Sequence, residues 1–414
     1  MEYKKATASR KAACFLFNQI NWANSLLHNN ALCCYSISFK MDCRYGQKIK
    51  IMDYYIFGAH SRGYTLYEYL RTLKPQNKII GFLYNNDEAN PSDIEGVKVV
   101  SLEDSNFMPD LTANVFIATR GEYHESIADY LLERGFTVIT SVTPQFDTDL
   151  RNQYIRNLFE ASGKEFHKIY EIKCPNSTDN MISSDAKIYI AKTASDAPFQ
   201  KSVNTVHYEG IIQVGCALTE NRLAEALLYD DCGDGISNLN TQFCELTALY
   251  WIWKNAMQDI VGLEHWRRRF ILPDNWISVM KHQHIDVILP VPLCVMPSLE
   301  ENYKSRHLGY IWDKMFEIMA DIHPKDAIIA KRYCAENKIY SPCNMIIAKK
   351  TVFDEYCEWL FPILLKLNAE IGIIDDVYQN RYPGFISERL LTYYFDINRD
   401  RYNVFYADKS FLHF

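Results

Sequence analysis

The chain has 414 residues, enough for two or three domains. With 48% apolar and 23% charged residues its composition is that of a globular protein with a sizeable core, not a disordered one. The net charge of −7 argues against a nucleic-acid binder, whose surface is usually basic.

The charge is unevenly spread. Residues 1–51 carry eight basic and two acidic side chains, or +6, and the other 363 residues carry 36 basic and 49 acidic, or −13. This tail is rich in Asn and Cys (Cys14, Cys33, Cys34, Cys43), shows no sustained period, and is followed at once by Met52. Two readings stand: a native start at Met52, or a genuine but poorly ordered arm. None of the twelve cysteines forms a Cys-x-x-Cys pair, so zinc-ribbon and thioredoxin-like spacings are excluded, and a reducing cytoplasm is the simplest home. No apolar run reaches the ~18 residues needed to span a bilayer. Residues 12–39 are broken by Asn18, Asn21, Asn24, His28, Asn29 and Asn30 and lack a secretory signal's layout.

From Asp53 onward, strands and helices alternate. Residues 53–59 read as a first strand, Tyr64–Leu73 as a helix, then Lys78–Tyr84, Val97–Leu102 and Val115–Thr119 as strands. Tyr123–Arg134 is a helix stopped by Gly135, and Thr137–Val142 a further strand. Such alternation predicts a parallel, Rossmann-like sheet over 52–143. Its first turn, Gly58-Ala-His-Ser-Arg-Gly63, resembles the dinucleotide fingerprint with His60 in place of the middle glycine, the one that lets a pyrophosphate approach. Gly58, His60 and Gly63 are thus a possible nucleotide loop, with a structural role as the alternative. Asp87 stands where a ribose-binding acid would sit, but reads rather as a solvated turn residue. Residues 144–185 read as a connector, helical over Asp149–Ile172, broken at Gly163 and ending in the Pro175 loop.

Residues 186–414 form the larger part. Lys187–Ala191 and Ile211–Gly215 are predicted strands, followed by a polar, turn-rich stretch with Asp230, Asp231 and Asp234. Phe243, Leu246, Tyr250, Trp253 and Met257 recur at helical spacing as a core stripe. Asp259–Phe270 begins as a buried strand and ends in a basic cluster. If it stays extended, Val261, Leu263, His265 and Arg267 share a face. His265 beside Arg267 and Arg268 can neutralise a diphosphate, arginine offering a planar fork of donors; pairing with local acids such as Glu264 is the alternative. Asp286–Pro292 and Pro342–Lys350 are strands, and Val352–Leu367 is a helix with a Tyr356, Leu360, Ile363, Leu367 stripe. A last helix opens at Ser387 as N-cap, which puts Glu388 in its first turn.

Two resemblances follow. Ile56-Phe-Gly-Ala, Gly81-Phe-Leu-Tyr-Asn-Asn-Asp, Val97-Lys-Val-Val and Val115-Phe-Ile-Ala resemble the small Rossmann-like domain that precedes the catalytic part of bacterial sugar acyltransferases. Ile212-Gln-Val-Gly215, Asp230-Asp-Cys-Gly-Asp-Gly-Ile-Ser237, Asn240, Phe243-Cys-Glu-Leu-Thr247, Gly262-Leu-Glu-His-Trp-Arg-Arg268, Asn344-Met345, Tyr356-Cys-Glu-Trp-Leu-Phe361 and Ser387-Glu-Arg-Leu-Leu391 resemble a bacterial capsule and exopolysaccharide biosynthesis family. That family is catalogued as a domain of unknown function and regarded as a glycosyltransferase. The chain departs from it at His265-Trp-Arg-Arg-Arg269, where His-Tyr-Arg-Arg-Tyr is common, and at Lys192, where a His is common.

The second resemblance implies a GT-A-like α/β domain that moves a sugar from a nucleotide-sugar to a growing capsule, O-antigen or exopolysaccharide glycan. It implies a UDP-sugar donor, with galactose or galactofuranose as the transferred group. The acceptor is then lipid-linked, and the chain cytoplasmic or peripheral at the inner membrane face. Glu388 is the implied catalytic base, with an inverting outcome preferred. His265, Arg267, Arg268, Lys192, Asn240 and Glu245 are the implied donor-binding residues. Basic side chains stand where such enzymes often carry a metal-holding Asp-x-Asp, which leaves Asp230, Asp231 and Asp234 as the weak metal candidates. A sugar-modifying enzyme working through the Rossmann-like part, or a non-catalytic carbohydrate-binding scaffold, remain alternatives; 14% aromatic residues suit sugar stacking and a core equally.

Overall fold

The computed structural model describes residues 53–85, 89–172, 186–196 and 205–412. Residues 1–52, Asn86, Asp87 and the Pro175 loop lie outside the described residues.

The first apolar runs form β1 (Asp53–Phe57), β2 (Lys78–Tyr84), β3 (Asp93–Ile94), β4 (Val97–Ser101), β5 (Asn114–Ile117) and β6 (Val138–Ser141). They make one sheet in the order β3-β4-β2-β1-β5-β6. All neighbours are parallel except β3, which turns back on β4. Helices α1 (Ser61–Leu73) and α2 (His124–Glu133) are the crossovers, and α3 (Pro144–Ala161) follows. α1 begins three residues earlier than its periodicity suggests. α3 starts at Pro144, not near 149: the Thr143 hydroxyl accepts from the Phe146 N–H at 3.2 Å and Pro144 fits the first turn. α3 packs back onto this sheet, with Tyr69–Tyr154 rings 5.0 Å and Phe116–Phe146 rings 5.9 Å apart.

The second sheet uses β7 (Ala186–Lys192), β8 (Glu209–Gln213), β9 (Leu228–Tyr229), β10 (Ile260–His265), β11 (Arg268–Phe270), β12 (Val287–Pro290), β15 (Ile346–Lys349), β16 (Val404–Ala407) and β17 (Lys409–Phe411), while β13 (Leu293–Cys294) and β14 (Ile339–Tyr340) form a separate pair. Its order is β16-β12-β15-β10-β7-β8-β9, with β11 on β10 and β17 on β11. Only β15 runs against its two neighbours on that path. The fold is therefore α/β throughout, a parallel sheet followed by a mixed one, as expected. Helices α4 (Asn240–Phe243), α5 (Leu246–Asn255), α6 (Trp276–His282), α7 (Leu299–Lys304), α8 (Gly309–Ile322), α9 (Pro324–Glu336), α10 (Lys350–Ile371) and α11 (Tyr382–Ile397) cover it.

Strand alternation sorts side chains to two layers. Val261 and Leu263 of β10 join the core that contains α5 and α8–α11, whereas Ile260 joins the one that contains α6. The predicted α10 stripe is fully buried, and each such leucine contributes roughly 1.5–3 kcal/mol. Met257 departs from its stripe: α5 ends at Asn255, and Met257 is 89% exposed.

Candidate active site

In the second sheet the chain steps from β7 outward to β8 and β9, then returns to β10 on the other side of β7. Parallel sheets bind ligands outside the carboxyl ends of their strands where the order reverses. That switch point falls at Lys192, which ends β7, and His265, which ends β10. The basic segment does not stay extended. His265 pairs with Arg268 across a two-residue turn, Trp266-Arg267, and β11 runs back. Arg267 consequently sits exposed at the turn and shares no strand face with His265.

The turn folds Arg268 toward His265, with Nη1 3.4 Å from Nδ1. His265 Nε2 lies 2.5 Å from the Cys343 carbonyl, which only accepts, so Nε2 carries the proton and Nδ1 faces the arginine. The Cys343 N–H in turn donates to Glu388 Oε1 at 2.6 Å. One residue therefore links the imidazole to the carboxylate. It does so because Cys343 (φ 77°) and Asn344 (φ 49°) both adopt the left-handed conformation, uncommon for side-chain-bearing residues and recurrent at functional sites. The predicted strand over 342–350 accordingly starts only at Ile346. Burial pushes His265 below its usual value even though Glu245 opposes this, so the ring is neutral near pH 7 and is not a cation of the site.

Glu388 is not at a helix start. α11 begins at Tyr382 with Pro383 in its first turn, so Ser387 is a fully buried interior residue, not a cap. Glu388 lies a turn further in, where the dipole gives it little. Burial holds its carboxyl above its ordinary range, against the pull of Arg389, whose Nη1 is 3.3 Å from Oε2.

The remaining candidates are occupied. Lys192 pairs with Glu225 at 2.7 Å and lies 3.6 Å above the Trp266 ring. Asn240 donates to the Cys244 carbonyl and the Thr247 hydroxyl, bracing the break between α4 and α5. Glu245 accepts from Asn344 Nδ2 at 2.8 Å and stands 3.8 Å from His265 Nε2. Glu264 takes the Phe270 N–H and lies 3.6 Å from Arg269, so Arg269, not Arg267 or Arg268, has the local acid as partner.

The three acids proposed for a metal do not converge. Asp230 is buried and accepts four bonds, from the Gly215 and Cys216 N–H groups and the Ser237 and Thr247 hydroxyls. Asp231 pairs with Arg222, and the Asp234 backbone is pinned by Asn255. Among the described residues no group of three or more His, Cys, Asp or Glu side chains is placed to hold a metal ion. At the β10 end the cations Arg267 and Arg268 suit phosphate oxygens, while the nearby carboxylates Glu245 and Glu388 are engaged by Asn344, the Cys343 N–H and Arg389.

In the first sheet the order reverses between β1 and β5, and a cleft of about 650 Å³ opens there, lined by Gly58, His60, Arg62, Asn85, Thr119 and Arg120. Gly63 serves packing: a Cβ on it would lie 1.9 Å from the Gly58 carbonyl oxygen.

Residues 187–399 match a family described as a domain of unknown function, DUF4422. The chain belongs to the DUF4422 family. A solved structure titled as the apo form of WbbM, a bifunctional glycosyltransferase, is 24% identical over 55% of this chain and 45% of that one, with a TM-score of 0.47. The chain thus spans under half the length of that structure. No curated protein matches it.

Several residues around the β10 end of the DUF4422 segment were not legible as site candidates in the sequence. Cys343 and Asn344 read as strand, and only their positive φ reveals the role. Arg381 donates to Cys244 Sγ at 3.1 Å, and its charge reaches Glu245 and His265. Lys409 and Arg151 lie outside the DUF4422 segment altogether. No spacing rule joins residues so far apart in sequence.

Proposed function

We propose that the chain is a glycosyltransferase that moves a sugar, galactose or galactofuranose, from a UDP-sugar to a lipid-linked capsule, O-antigen or exopolysaccharide glycan at the inner membrane face. The observation that carries this reading is the link Arg268–His265–Cys343–Glu388 at the switch point of the second sheet. Sugar transfer needs a cation on the departing diphosphate and a base on the acceptor hydroxyl. Arg268 supplies the cation, and Arg267 at the exposed turn can reach the same group. Neutral His265 positions Arg268. Glu388 takes the hydroxyl proton, in keeping with inversion. Glu245 and Asn344 hold the strained turn that presents the Cys343 N–H.

Glu388→Gln should lower transfer by roughly 10²–10⁴-fold with UDP affinity unchanged. Near-normal turnover removes Glu388 from the role. Turnover should persist in excess EDTA; loss of activity restored by Mn²⁺ overturns the cation-based clamp. The cleft of the first sheet favours a second reading, a sugar-modifying enzyme using that domain. A panel of UDP-, GDP- and dTDP-sugars separates the two, since only a transferase hydrolyses or transfers from one donor.

A further inference from the structure

β17 lies antiparallel to β11, with Arg268 opposite Phe411 and Phe270 opposite Lys409. Directly opposed residues share a face, so Arg268 and Lys409 are diagonal neighbours. The Phe411 ring lies 5.5 Å from the Arg268 guanidinium carbon and 5.8 Å from Lys409 Nζ. α3 and the segment after it are tied to the same corner: Asn152 Nδ2 of α3 donates to Asp408 at 3.4 Å, and Lys168, beyond the end of α3, pairs with Asp408. Arg151, 8% exposed and next to Asn152 in α3, lies near enough for its charge to act on Lys409.

These cations are poorly matched by acids. Arg151 reaches Asp147 at 3.6 Å, and its Nε has no hydrogen-bond partner among the described residues; Arg268 Nε is likewise buried and unpartnered. Burial lowers the Lys409 pKa, and the charges of Arg151 and Arg268 lower it further, outweighing Cys343 and Glu388. Arg62, Arg151 and Lys409 all act on Asp147. Arg151, Arg268 and Lys409 thus act on one another's surroundings at a corner that also holds the carboxylates Asp147 and Glu388, the latter paired with Arg389.

We infer that Lys409, Arg268 and Arg151 form a diphosphate-binding subsite beside Glu388, completed by segments that lie outside the DUF4422 match. The inference rests on the transferase reading for the role of Glu388, but not for the binding itself. Cations from three elements, close enough for Arg151 and Arg268 to act on Lys409 and with buried guanidinium donors left over, fit the many acceptor oxygens of a diphosphate. The diphosphate belongs either to the nucleotide donor or to a lipid-linked acceptor.

Inorganic pyrophosphate is titrated calorimetrically into the full chain at fixed ionic strength, so that screening is constant. Lys409→Met and Arg151→Met should each weaken it roughly tenfold or more, as expected for loss of a charge-assisted bond, and Lys409→Arg should restore binding. UDP weakened in parallel assigns the subsite to the donor. Farnesyl diphosphate weakened while UDP is unaffected assigns it to the acceptor. Pyrophosphate affinity unchanged in the Lys409→Met, Arg151→Met double variant, with its circular-dichroism spectrum intact, overturns the subsite. Binding through Lys409 without turnover of any nucleotide-sugar would sink the transferase reading alone.

Discussion

At the scale of single residues, burial sets the protonation states of the proposed site. Glu388 is held above its ordinary value of 4.5 by burial, so the ionised base forms only at higher pH. kcat/KM should therefore rise with pH on its acid limb, with an inflection above 4.5 that disappears in Glu388→Gln; an inflection at or below 4.5 would rule out Glu388 as that base. His265 shifts the opposite way and stays neutral, so it acts on Arg268 as a hydrogen-bond acceptor. The sequence marked His265, Arg268 and Glu388 as chemistry-bearing residues. It could not show that Cys343 joins them, because the link is made by backbone atoms, whose direction depends on φ and not on residue type. Ser387 looks like a cap, which sets the expected helix start later than the observed Tyr382 and Glu388 too near the N-terminus. Pro383 is the better start signal, since its missing N–H costs nothing in a first turn.

At the scale of elements, Asp230 shows how a polar motif can be architecture. Its carboxylate gathers the Gly215–Cys216 turn after β8, the Ser237 turn and the first turn of α5. Asp230→Asn points an amide N–H at one of the two backbone N–H donors in either rotamer. Leaving that buried donor unsatisfied should cost about 2–3 kcal/mol in urea unfolding. The dependence of activity on Mn²⁺ and EDTA should not change, whereas a metal ligand would alter it. The same elements also explain the error at Met257: Asn255 ends α5, so the next residue at helical spacing points to solvent.

At the scale of the whole molecule, the described residues from Asp53 on belong to one compact unit, and charged side chains cross between its first sheet's layer and the elements after it. Glu68 of α1 is 5% exposed, takes bonds from Arg71 (2.5 Å) and Tyr154 (3.1 Å), and lies 3.4 Å from Lys338 just before β14. Burial alone would raise its pKa, but Arg71, Lys338 and Tyr154 outweigh it and hold the carboxyl below 4.5. A depressed folded pKa gives stability that is present above 4.5 and lost as pH falls through the folded value. Glu68→Gln should thus destabilise the chain near pH 7 by about 1–3 kcal/mol, less than a fully buried pair because Arg71 and Lys338 are partly exposed. The difference from the unsubstituted chain should shrink in acid. An equal difference at pH 7 and pH 3 would place the effect in packing and not in charge.

By itself the sequence determined the α/β class, most strands, the α10 core stripe and the segment that carries the family likeness. These depend on periodicities of two and 3.6 and on local start and stop signals, all properties of neighbouring residues. Only the tertiary structure decided which candidates meet. It turned Arg267 out to the hairpin tip, occupied Lys192 with Glu225, and drew Asp230 inward. It also brought Arg151, before the family segment, and Arg268, within it, near enough to act on Lys409 after it. Charge acts through space and strand pairing ignores distance along the chain, so that convergence exists only once both sheets are in place.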